Sequence, residues 1–310
     1  MAQDRAGDPI TGLKWTRKTT QKIARELRRA GIRLSKNTVA RLLRELGYSL
    51  RVNHKKLARA CAPQERDRQF RCIKTMRRYF ESKGLPIVSV DTKKKELVGR
   101  FKNPGTAWAK TPILVKDHDF RSEALGLAVP YGIYDLLANR GHVLVGLSHD
   151  TSAFAVDAIT GWWKREGHRR YPHANHLLVL ADNGGSNGST SRSWKHYLQT
   201  NLCNRFGCAV TVCHYPSGAS KWNPIEHRLF SEISKNWAGR PLDSVDTILK
   251  YLRTTRTATG LRVTAALTRR KYAKGVKISD HAMETLRLKR RRVLPQWNYT
   301  LRPQRLAQSS

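Results

Sequence analysis

The stretch His214–Trp237, HYPSGASKWNPIEHRLFSEISKNW, decides how the rest of the chain is interpreted. After a Pro/Gly/Ser turn it begins a helix, since Asn223 is a favourable N-cap and Pro224 a favourable first helical residue. Glu226 then lies near the middle of an apolar helical stripe roughly 140° wide. The apolar members of this stripe are Ile225, Leu229, Phe230, Ile233 and Trp237. A carboxylate in the first turn therefore faces the interior.

Two interpretations of Glu226 are open. Asn223 and Glu226 form the Asn-x-x-Glu pattern of a capping box, in which the glutamate reaches back to the N-cap backbone N–H. Alternatively, Glu226 points past the end of the helix into a group of acids that binds divalent metal. Partner carboxylates elsewhere in the chain would favour the second interpretation.

The charge of the chain predicts its partner. The 310 residues, enough for about two domains, carry 59 Lys and Arg against 23 Asp and Glu, a formal charge of +36. Such an excess indicates a polyanion, with nucleic acid first and an anionic membrane surface second. No apolar run approaches the ~18 residues of a membrane span, and the N-terminus lacks a signal-peptide core. Nucleic acid is therefore expected as the partner, and a membrane is not.

The cysteines do not indicate a metal site. Five are present without any Cys-x-x-Cys pair, which is typical of reduced thiols in a cytoplasmic protein. Cys203, Cys208, Cys213 and His214 are close in sequence, but they fall on a predicted helix, turn and strand. A metal site among them is the less favoured interpretation.

Residues 1–50 are predicted to form a helix-turn-helix DNA-binding region. Thr20–Ala30 has helical spacing and ends at Gly31, while Ser35 caps a second amphipathic helix that closes at Gly47. The second helix presents side chains suited to a major groove and its phosphates, namely Lys36, Asn37, Arg41 and Arg44. The alternative is a helical hairpin with a solvated basic face. The polar residues 1–14 are expected to be frayed.

Residues 51–84 are predicted to be a basic helical connector, and residues 85–240 a catalytic core of the α/β class. The predicted strands of that core are Leu85–Val90, Glu96–Phe101, His142–Leu147, His176–Ala181 and Ala209–Tyr215. Residues 102–141, punctuated by Pro and Gly, are expected to be an irregular insert. Helices are predicted from Asp150 or Thr151 to about Arg169 and over Ser193–Phe206. The order ββ(insert)β-α-β-α-β-α indicates an α/β layer arrangement.

Residues 241–310 are predicted to form a C-terminal helix and a basic tail. The helix covers Asp243–Thr257, and Arg262–Ser279 is expected to be a basic hairpin. Lys289–Arg292 is a charge run, which is usually solvated but could contact phosphates.

Two further acids stand at the ends of predicted strands. Asp182 follows a strand that is apolar almost throughout and precedes a Gly-Gly turn, a position where α/β sheets gather ligands. Asp91 ends the first apolar strand, where an inward carboxylate is costly without a cation. The rival acids fit other roles: Glu96 lies in an expected exposed hairpin, Asp150 at a helix cap and Asp157 in mid-helix.

Three carboxylates packed together would protonate unless a divalent cation neutralised them. Asp91, Asp182 and Glu226 are therefore the predicted catalytic and metal-binding residues. The expected cofactor is a pair of Mg²⁺ or Mn²⁺ ions roughly 3.5–4 Å apart, a spacing that serves phosphodiester chemistry. Lys93, Lys94, Lys95 and His227 are predicted to contact DNA nearby.

Several long segments resemble one family. They are VSVDTKKKELVGRFKNPG, YGIYDL, GLSHDTSAFAVDAI, LADNGGSN, VCHYPSGASKWNPIEHRLFSEISKNWAG and LPQWNYTLRP. These segments resemble the Rhodopirellula-type transposases, the ISAzo group of bacterial insertion sequences, from about Leu13 to Pro303. The resemblance implies an RNase H-like core, a mixed five-stranded sheet flanked by helices. It also implies a DDE triad at Asp91, Asp182 and Glu226.

The resemblance implies a DDE transposase that cleaves DNA and transfers a strand, assembled on DNA as a homodimer or higher oligomer in the bacterial cytoplasm. Relatives begin earlier, with additional N-terminal helices, so an N-terminally truncated copy is expected. The alternatives are a non-catalytic DNA-binding remnant of a transposable element and a nuclease that cuts without joining.

Overall fold

The computed structural model describes residues 5–7, 14–16, 18–50, 62–106 and 110–304. The chain divides into two compact units, Met1–Leu57 and Ala58–Ser310. Among the described residues, no helix is both long enough and apolar enough to cross a membrane.

The first unit contains a short strand pair and two helices. Strands β1 (Arg5–Gly7) and β2 (Lys14–Thr16) pair antiparallel, so the expectation of frayed residues is wrong for these positions. Helices α1 (Thr20–Arg29) and α2 (Lys36–Glu45) confirm the two predicted helices.

Side-chain caps begin both helices of the first unit, and the cap at Ser35 is the predicted one. The Thr19 hydroxyl accepts a hydrogen bond from the Lys22 N–H (3.2 Å), and the Ser35 hydroxyl accepts one from the Thr38 N–H (3.1 Å). Gly31 (φ +85°) and Gly47 (φ +78°) provide the left-handed residues that follow the two helices.

One mixed sheet organises the second unit, and nine strands belong to it within the described residues. They are β3 (Ile87–Thr92), β4 (Glu96–Val98), β5 (Gly126–Asp135), β6 (Arg140–Gly146), β7 (His176–Ala181), β8 (Ala209–His214), β9 (Arg262–Thr268), β10 (Leu288–Arg290) and β11 (Asn298–Leu301). Their order is β10-β11-β8-β7-β3-β5-β6-β9, and β4 pairs with β5 beside this path. The pairs β3–β7, β7–β8 and β6–β9 are parallel, and the others are antiparallel.

Helices cover both faces of the sheet. Their bounds are α3 (Pro63–Ser82), α4 (Ser152–Trp162), α5 (His168–Arg170), α6 (Arg192–Tyr197), α7 (Ser231–Asn236), α8 (Val245–Thr254) and α9 (Asp280–Glu284). Three π-helical segments join them, Trp163–Gly167, Leu198–Asn204 and Glu226–Phe230. Short 3₁₀ turns cover Arg121–Glu123, Gly185–Asn187 and Ser220–Trp222.

The two faces use different apolar clusters. On one face, Val88 and Val90 of β3 pack with α4 and α6 around Phe154, Trp162 and Trp194. On the opposite face, α3 buries Ile73, Met76 and Phe80 against Ile87, Leu178 and Leu180. The predicted apolar stripe Ile225, Leu229, Phe230, Ile233 and Trp237 is fully buried and packs with α8. Helix α3 is therefore part of the packed core.

The prediction of an irregular insert over residues 102–141 is wrong, because β5 lies within it. This ten-residue strand is buried over most of its length and pairs with both β3 and β6. Pro130, which suggested a turn, lies in β5 opposite the gap between the end of β3 and the start of β4. Its carbonyl accepts from the Lys93 N–H (2.9 Å), so the nitrogen that lacks a proton faces this gap.

Two other predictions are corrected. The region Arg262–Ser279 is not a hairpin, because Arg262–Thr268 forms β9, a strand parallel to β6 at the sheet edge. The predicted five-stranded sheet is larger, since β9, β10 and β11 extend it. The α/β class with a mixed sheet is confirmed.

Gly132 allows the helix that carries Glu226 to lie close against the sheet. A Cβ at this position would lie 2.5 Å from a ring carbon of Phe230 and 2.9 Å from Ile225. Both neighbours are buried and packed, so neither can move freely. Gly132 pairs with Asp91 across the sheet, so this close approach occurs beside a predicted site residue.

We expect Gly132→Ala to lower the free energy of unfolding by about 1–3 kcal/mol, because the added methyl overpacks the helix contact. Urea denaturation measures this change. Gly126→Ala is the matched control, since Gly126 begins the same strand and a Cβ added there would have no neighbour within 4 Å. Equal stability of the two variants would contradict the close-packing explanation.

Candidate active site

Asp91 and Asp182 stand side by side at the same edge of the sheet. Strands β3 and β7 are parallel neighbours in which Val90 and Ala181 are paired. The residues that follow this pair are Asp91 and Asp182. Adjacent strands lie about 4.8 Å apart, so the two acids are brought together although they are 91 positions apart in sequence. The sheet thus brings two of the three predicted acids together.

Asn223 fixes the start of the Glu226 helix to β3. The Ser89 hydroxyl donates to the Asn223 Oδ1, and the Asn223 Nδ2 donates to the Val90 carbonyl (3.3 Å). The Ile225 N–H donates to the Ser89 Oγ (3.0 Å). Ser89 and Asn223 are both completely buried. The helix therefore begins directly beside the strand that ends with Asp91.

The side chain of Asn223 is engaged by β3 and does not cap the helix. Only its carbonyl takes part in the first turn, accepting from the Glu226 N–H (3.1 Å). Glu226 opens a π-helical segment, a local widening of the helix that is frequent at functional sites. The capping-box interpretation is therefore not favoured.

The environment of Asp91 disfavours its ionised form. Burial, followed by the negative charge of Asp182, raises the pKa of Asp91 to about 8. The charges of Glu226 and Asp150 act in the same direction, and the Thr92 N–H (2.7 Å from Oδ1) opposes them. Four carboxyl groups are thus within electrostatic reach of one another, as expected of a site that needs a cation.

Asp182 and Glu226 are perturbed in the same direction. Burial raises the pKa of Asp182, and the charges of Glu226 and Asp150 add to it, while bonds from Asn187 and the Gly184 N–H oppose it. Burial also raises the pKa of Glu226, against the opposing charges of His227 and Lys93. All three predicted acids are therefore held where their negative charge is unfavourable.

Asn187 and Tyr131 orient Asp182, and sequence reasoning missed both. The buried Tyr131 hydroxyl donates to the Asn187 Oδ1 (2.8 Å), which turns the amide nitrogen of Asn187 toward the Asp182 Oδ1 (3.5 Å). Burial, together with the charges of the neighbouring acids, raises the pKa of Tyr131 well above its usual value. The sequence signals for them were the segments YGIYDL, which begins at Tyr131, and LADNGGSN, which ends at Asn187.

The backbone of Asp182 is held by a buried chain of three rings. Burial lowers the pKa of His214 to about 4, so the ring is neutral. Its Nδ1–H donates to the Asp182 carbonyl (2.9 Å) and its Nε2 accepts from the Tyr299 hydroxyl (3.1 Å). The Trp194 Nε1–H in turn donates to the Tyr299 oxygen (2.9 Å). Strand β11 therefore supports the turn that carries Asp182.

Of the rival acids, only Asp150 reaches the site. Its Oδ1 accepts from the Thr92 hydroxyl (3.1 Å). Glu96, expected to be exposed, is buried and paired with Lys93 (3.0 Å). Asp157 accepts from Arg270 (2.8 Å) and from the Tyr272 hydroxyl (3.0 Å), which assigns it a structural role.

The predicted DNA contacts separate into buried and exposed residues. Lys93 is buried, lies 4.6 Å from the Trp237 ring centroid and pairs with Glu96, contrary to its predicted contact with DNA. Lys94 and Lys95 are exposed. His227 is exposed, and its ring donates to the Lys221 carbonyl. In the first unit, Lys36, Asn37, Arg41 and Arg44 are all exposed on α2.

The donor chemistry of the acids fits a hard divalent cation, because carboxylate oxygens are the ligands that Mg²⁺ and Mn²⁺ prefer. As the side chains stand in the described part of the chain, no group of three or more His, Cys, Asp or Glu residues is arranged to hold a metal ion. The fit therefore rests on the identity of the donors and on their mutual repulsion. The described cysteines, Cys72, Cys203, Cys208 and Cys213, are free thiols.

Comparisons with known proteins give distant structural likenesses. No curated protein matches the chain. Among solved structures, a Mos1 transposase paired-end complex with the left transposon end has 19% identity and a TM-score of 0.46. Mos1 mariner paired-end complexes with Mn and with Mg each have a TM-score of 0.45, at 17% and 18% identity. Each likeness covers 76% of this chain but 65% of the Mos1 chain, which is less than two thirds.

The family comparison covers almost the whole chain. The family described as the Rhodopirellula transposase DDE domain matches residues 1–303. This match confirms the resemblance carried by the quoted segments, and the chain therefore belongs to the family of the Rhodopirellula transposase DDE domain.

Proposed function

We propose that this chain is a metal-dependent DNA transposase with an RNase H-like core. The observation that carries the proposal is the placement of Asp91 and Asp182 directly after a paired residue of parallel strands, beside the helix start of Glu226 that Asn223 bonds to β3. Family membership supports the same reaction class. The order β6-β5-β3-β7-β8 at the centre of the sheet, antiparallel then parallel, supports the fold assignment.

Asp91, Asp182 and Glu226 would hold two Mg²⁺ or Mn²⁺ ions. When bound, such ions supply an activated oxygen nucleophile and stabilise the leaving oxygen of a phosphodiester. The chain itself positions the carboxylates: Asn223 fixes the helix of Glu226 to β3, and Asn187 orients Asp182. The Thr92 N–H holds one oxygen of Asp91, so the other is left to face the site.

The substrate would be double-stranded DNA at the ends of a bacterial insertion sequence and at its target. The formal charge of +36 supports a polyanionic substrate. The exposed basic face of α2, with Lys36, Asn37, Arg41 and Arg44, would provide contacts to DNA, as would Lys94, Lys95 and His227. Two DNA ends joined in one reaction would require at least two copies of the chain.

We expect Asp91→Asn to raise the Tm of the metal-free protein, and to raise it more at pH 8 than at pH 5. Because the folded-state pKa of about 8 is above the usual value near 3.8, Asp91 destabilises the fold increasingly as pH rises through this window. The substitution removes that cost, so a gain on the order of a few degrees is expected. Scanning calorimetry in EDTA at both pH values measures it.

Addition of MgCl₂ should make the wild-type Tm the higher of the two. The cation neutralises the acids of the wild-type protein, whereas the variant offers it one carboxylate fewer. Asp157→Asn is the matched control, since that acid is bonded to Arg270 and Tyr272. A wild-type Tm that does not respond to Mg²⁺ or Mn²⁺ would argue against a metal site at these acids.

Asp182→Asn should reduce Mg²⁺-dependent nicking of a supercoiled plasmid that carries the element ends at least about 100-fold, the loss expected from several kcal/mol of charge stabilisation. DNA affinity should be unchanged, which separates chemistry from binding. Cleavage at the wild-type rate would remove Asp182 from the mechanism.

A wild-type protein that binds DNA but never nicks or joins it in Mn²⁺ would instead be a non-catalytic remnant, and one that nicks without joining would be a nuclease.

A further inference from the structure

A second basic surface lies away from the acids, along α3. Two adjoining cavities of about 520 and 380 Å³ share Thr75, Met76, Arg291 and Arg292 and so form one continuous groove. We call it the α3–β10 groove. Its basic lining residues are Arg68 and Arg71 from α3, Lys289–Arg292 from β10 and the turn after it, and Arg302.

The cations of the α3–β10 groove are not neutralised by the protein. Each of them is exposed. None pairs with a carboxylate at ion-pair distance within the ranges that the structure describes, although other basic residues of the chain, such as Arg170 and Arg270, do. Seven positive charges without an ion-pair partner favour the binding of a polyanion in this groove.

The positive charges of these cations lower the pKa of two neighbouring side chains. The pKa of His176, which lines the groove, is lowered by burial and then by Arg302 and Arg291. The pKa of Lys195 is lowered by burial and then by Arg290. The positive charges thus act on the interior of the protein as well as on its surface.

The dimensions of the groove suit a nucleic-acid backbone. On α3, Arg68, Arg71, Thr75 and Tyr79 lie at helical spacing on one face. From Arg68 to Tyr79 the helix rises about 16 Å, which along the axis of a B-DNA duplex corresponds to about five base-pair steps at 3.4 Å each. A concave channel follows one strand more closely than it follows a flat lipid surface.

Helix α3 also connects the groove to the acids. Phe70, between Arg68 and Arg71, meets the edge of Trp222 with ring centroids 6.1 Å apart. Trp222 is about half exposed and stands four residues before Glu226. Phe70 lies on a different face of α3 from Arg68 and Arg71, so this contact places the N-terminal half of the helix, where the groove begins, near the turn that carries Glu226.

We propose that the α3–β10 groove binds the phosphate backbone of a DNA segment that extends from the acids. The proposal rests on the proposed function, because DNA is the polyanion that this site would process. Arg68 and Arg71 contact phosphates from one wall of the groove, and Lys289, Arg291 and Arg292 contact them from the other. These contacts set affinity and register and do not read the base sequence.

The test replaces three exposed cations of the groove in the full chain, Lys289→Ala, Arg291→Ala and Arg292→Ala together. Fluorescence anisotropy with a labelled 30-bp duplex gives Kd over a series of NaCl concentrations. Each lost phosphate contact lowers the slope of log Kd against log salt by about 0.9. We expect the slope to fall by about 2–3 and the affinity at 100 mM NaCl to fall roughly tenfold or more.

The matched control removes the same charge elsewhere, as Lys164→Ala, Arg169→Ala and Lys250→Ala. These cations are exposed and do not line the groove. The slope for the control should differ from the wild-type slope by no more than the loss of about one phosphate contact would cause. The charge-preserving variant Arg291→Lys with Arg292→Lys should bind nearly as the wild type does.

Three results would overturn the groove proposal: an unchanged slope in the groove variant, an equal loss in groove and control variants, or a loss confined to binding of phosphatidylserine vesicles. Mg²⁺-dependent nicking by the wild type, measured in parallel, keeps the two proposals distinct. Intact nicking with an unchanged slope rejects the groove alone, whereas the absence of nicking rejects the proposed function.

Discussion

Asp91, Asp182 and Glu226 repel one another when they are ionised, and partial burial increases that repulsion because less water screens it. The fold must therefore hold the three carboxyl groups together by contacts made elsewhere. Parallel pairing of β3 with β7 places the two aspartates, and the buried bonds of Asn223 place the helix of Glu226. These contacts stabilise an arrangement that its own charges oppose.

The close approach of the Glu226 helix depends on the absence of side chains as well as on bonds. Gly132 and Gly141 face Phe230 and Leu229, where a Cβ would lie 2.5 Å from the nearest ring or methyl carbon. Buried Lys93 lies between Trp237 and Glu96 and partly offsets the charge of Glu226. A cationic residue near acids therefore has a structural role here, which differs from the role of the exposed cations that would contact DNA.

Local patterns predicted the parts of the fold that local chemistry determines. The cap at Ser35 and the buried run His176–Ala181 appear where the sequence indicates, and the apolar stripe from Ile225 to Trp237 is buried. Strand β5 was missed because Pro130 and Gly132 suggest a turn unless the neighbouring strands are known. The bond between Ser89 and Asn223 spans 134 positions, so no local pattern could reveal it. The three acids could be named from strand ends and a helix start, but the supporting side chains could not.

Among the described strands of the sheet, β11 is synthesised last, and it lies between β8 and β10. Its Tyr299 completes the ring chain that ends on the Asp182 carbonyl. During translation, a nascent chain that has not yet emerged as far as Asn298–Leu301 lacks this support. The turn of Asp182 is thus set late in synthesis, and prematurely terminated products would carry all three acids without the architecture that aligns them.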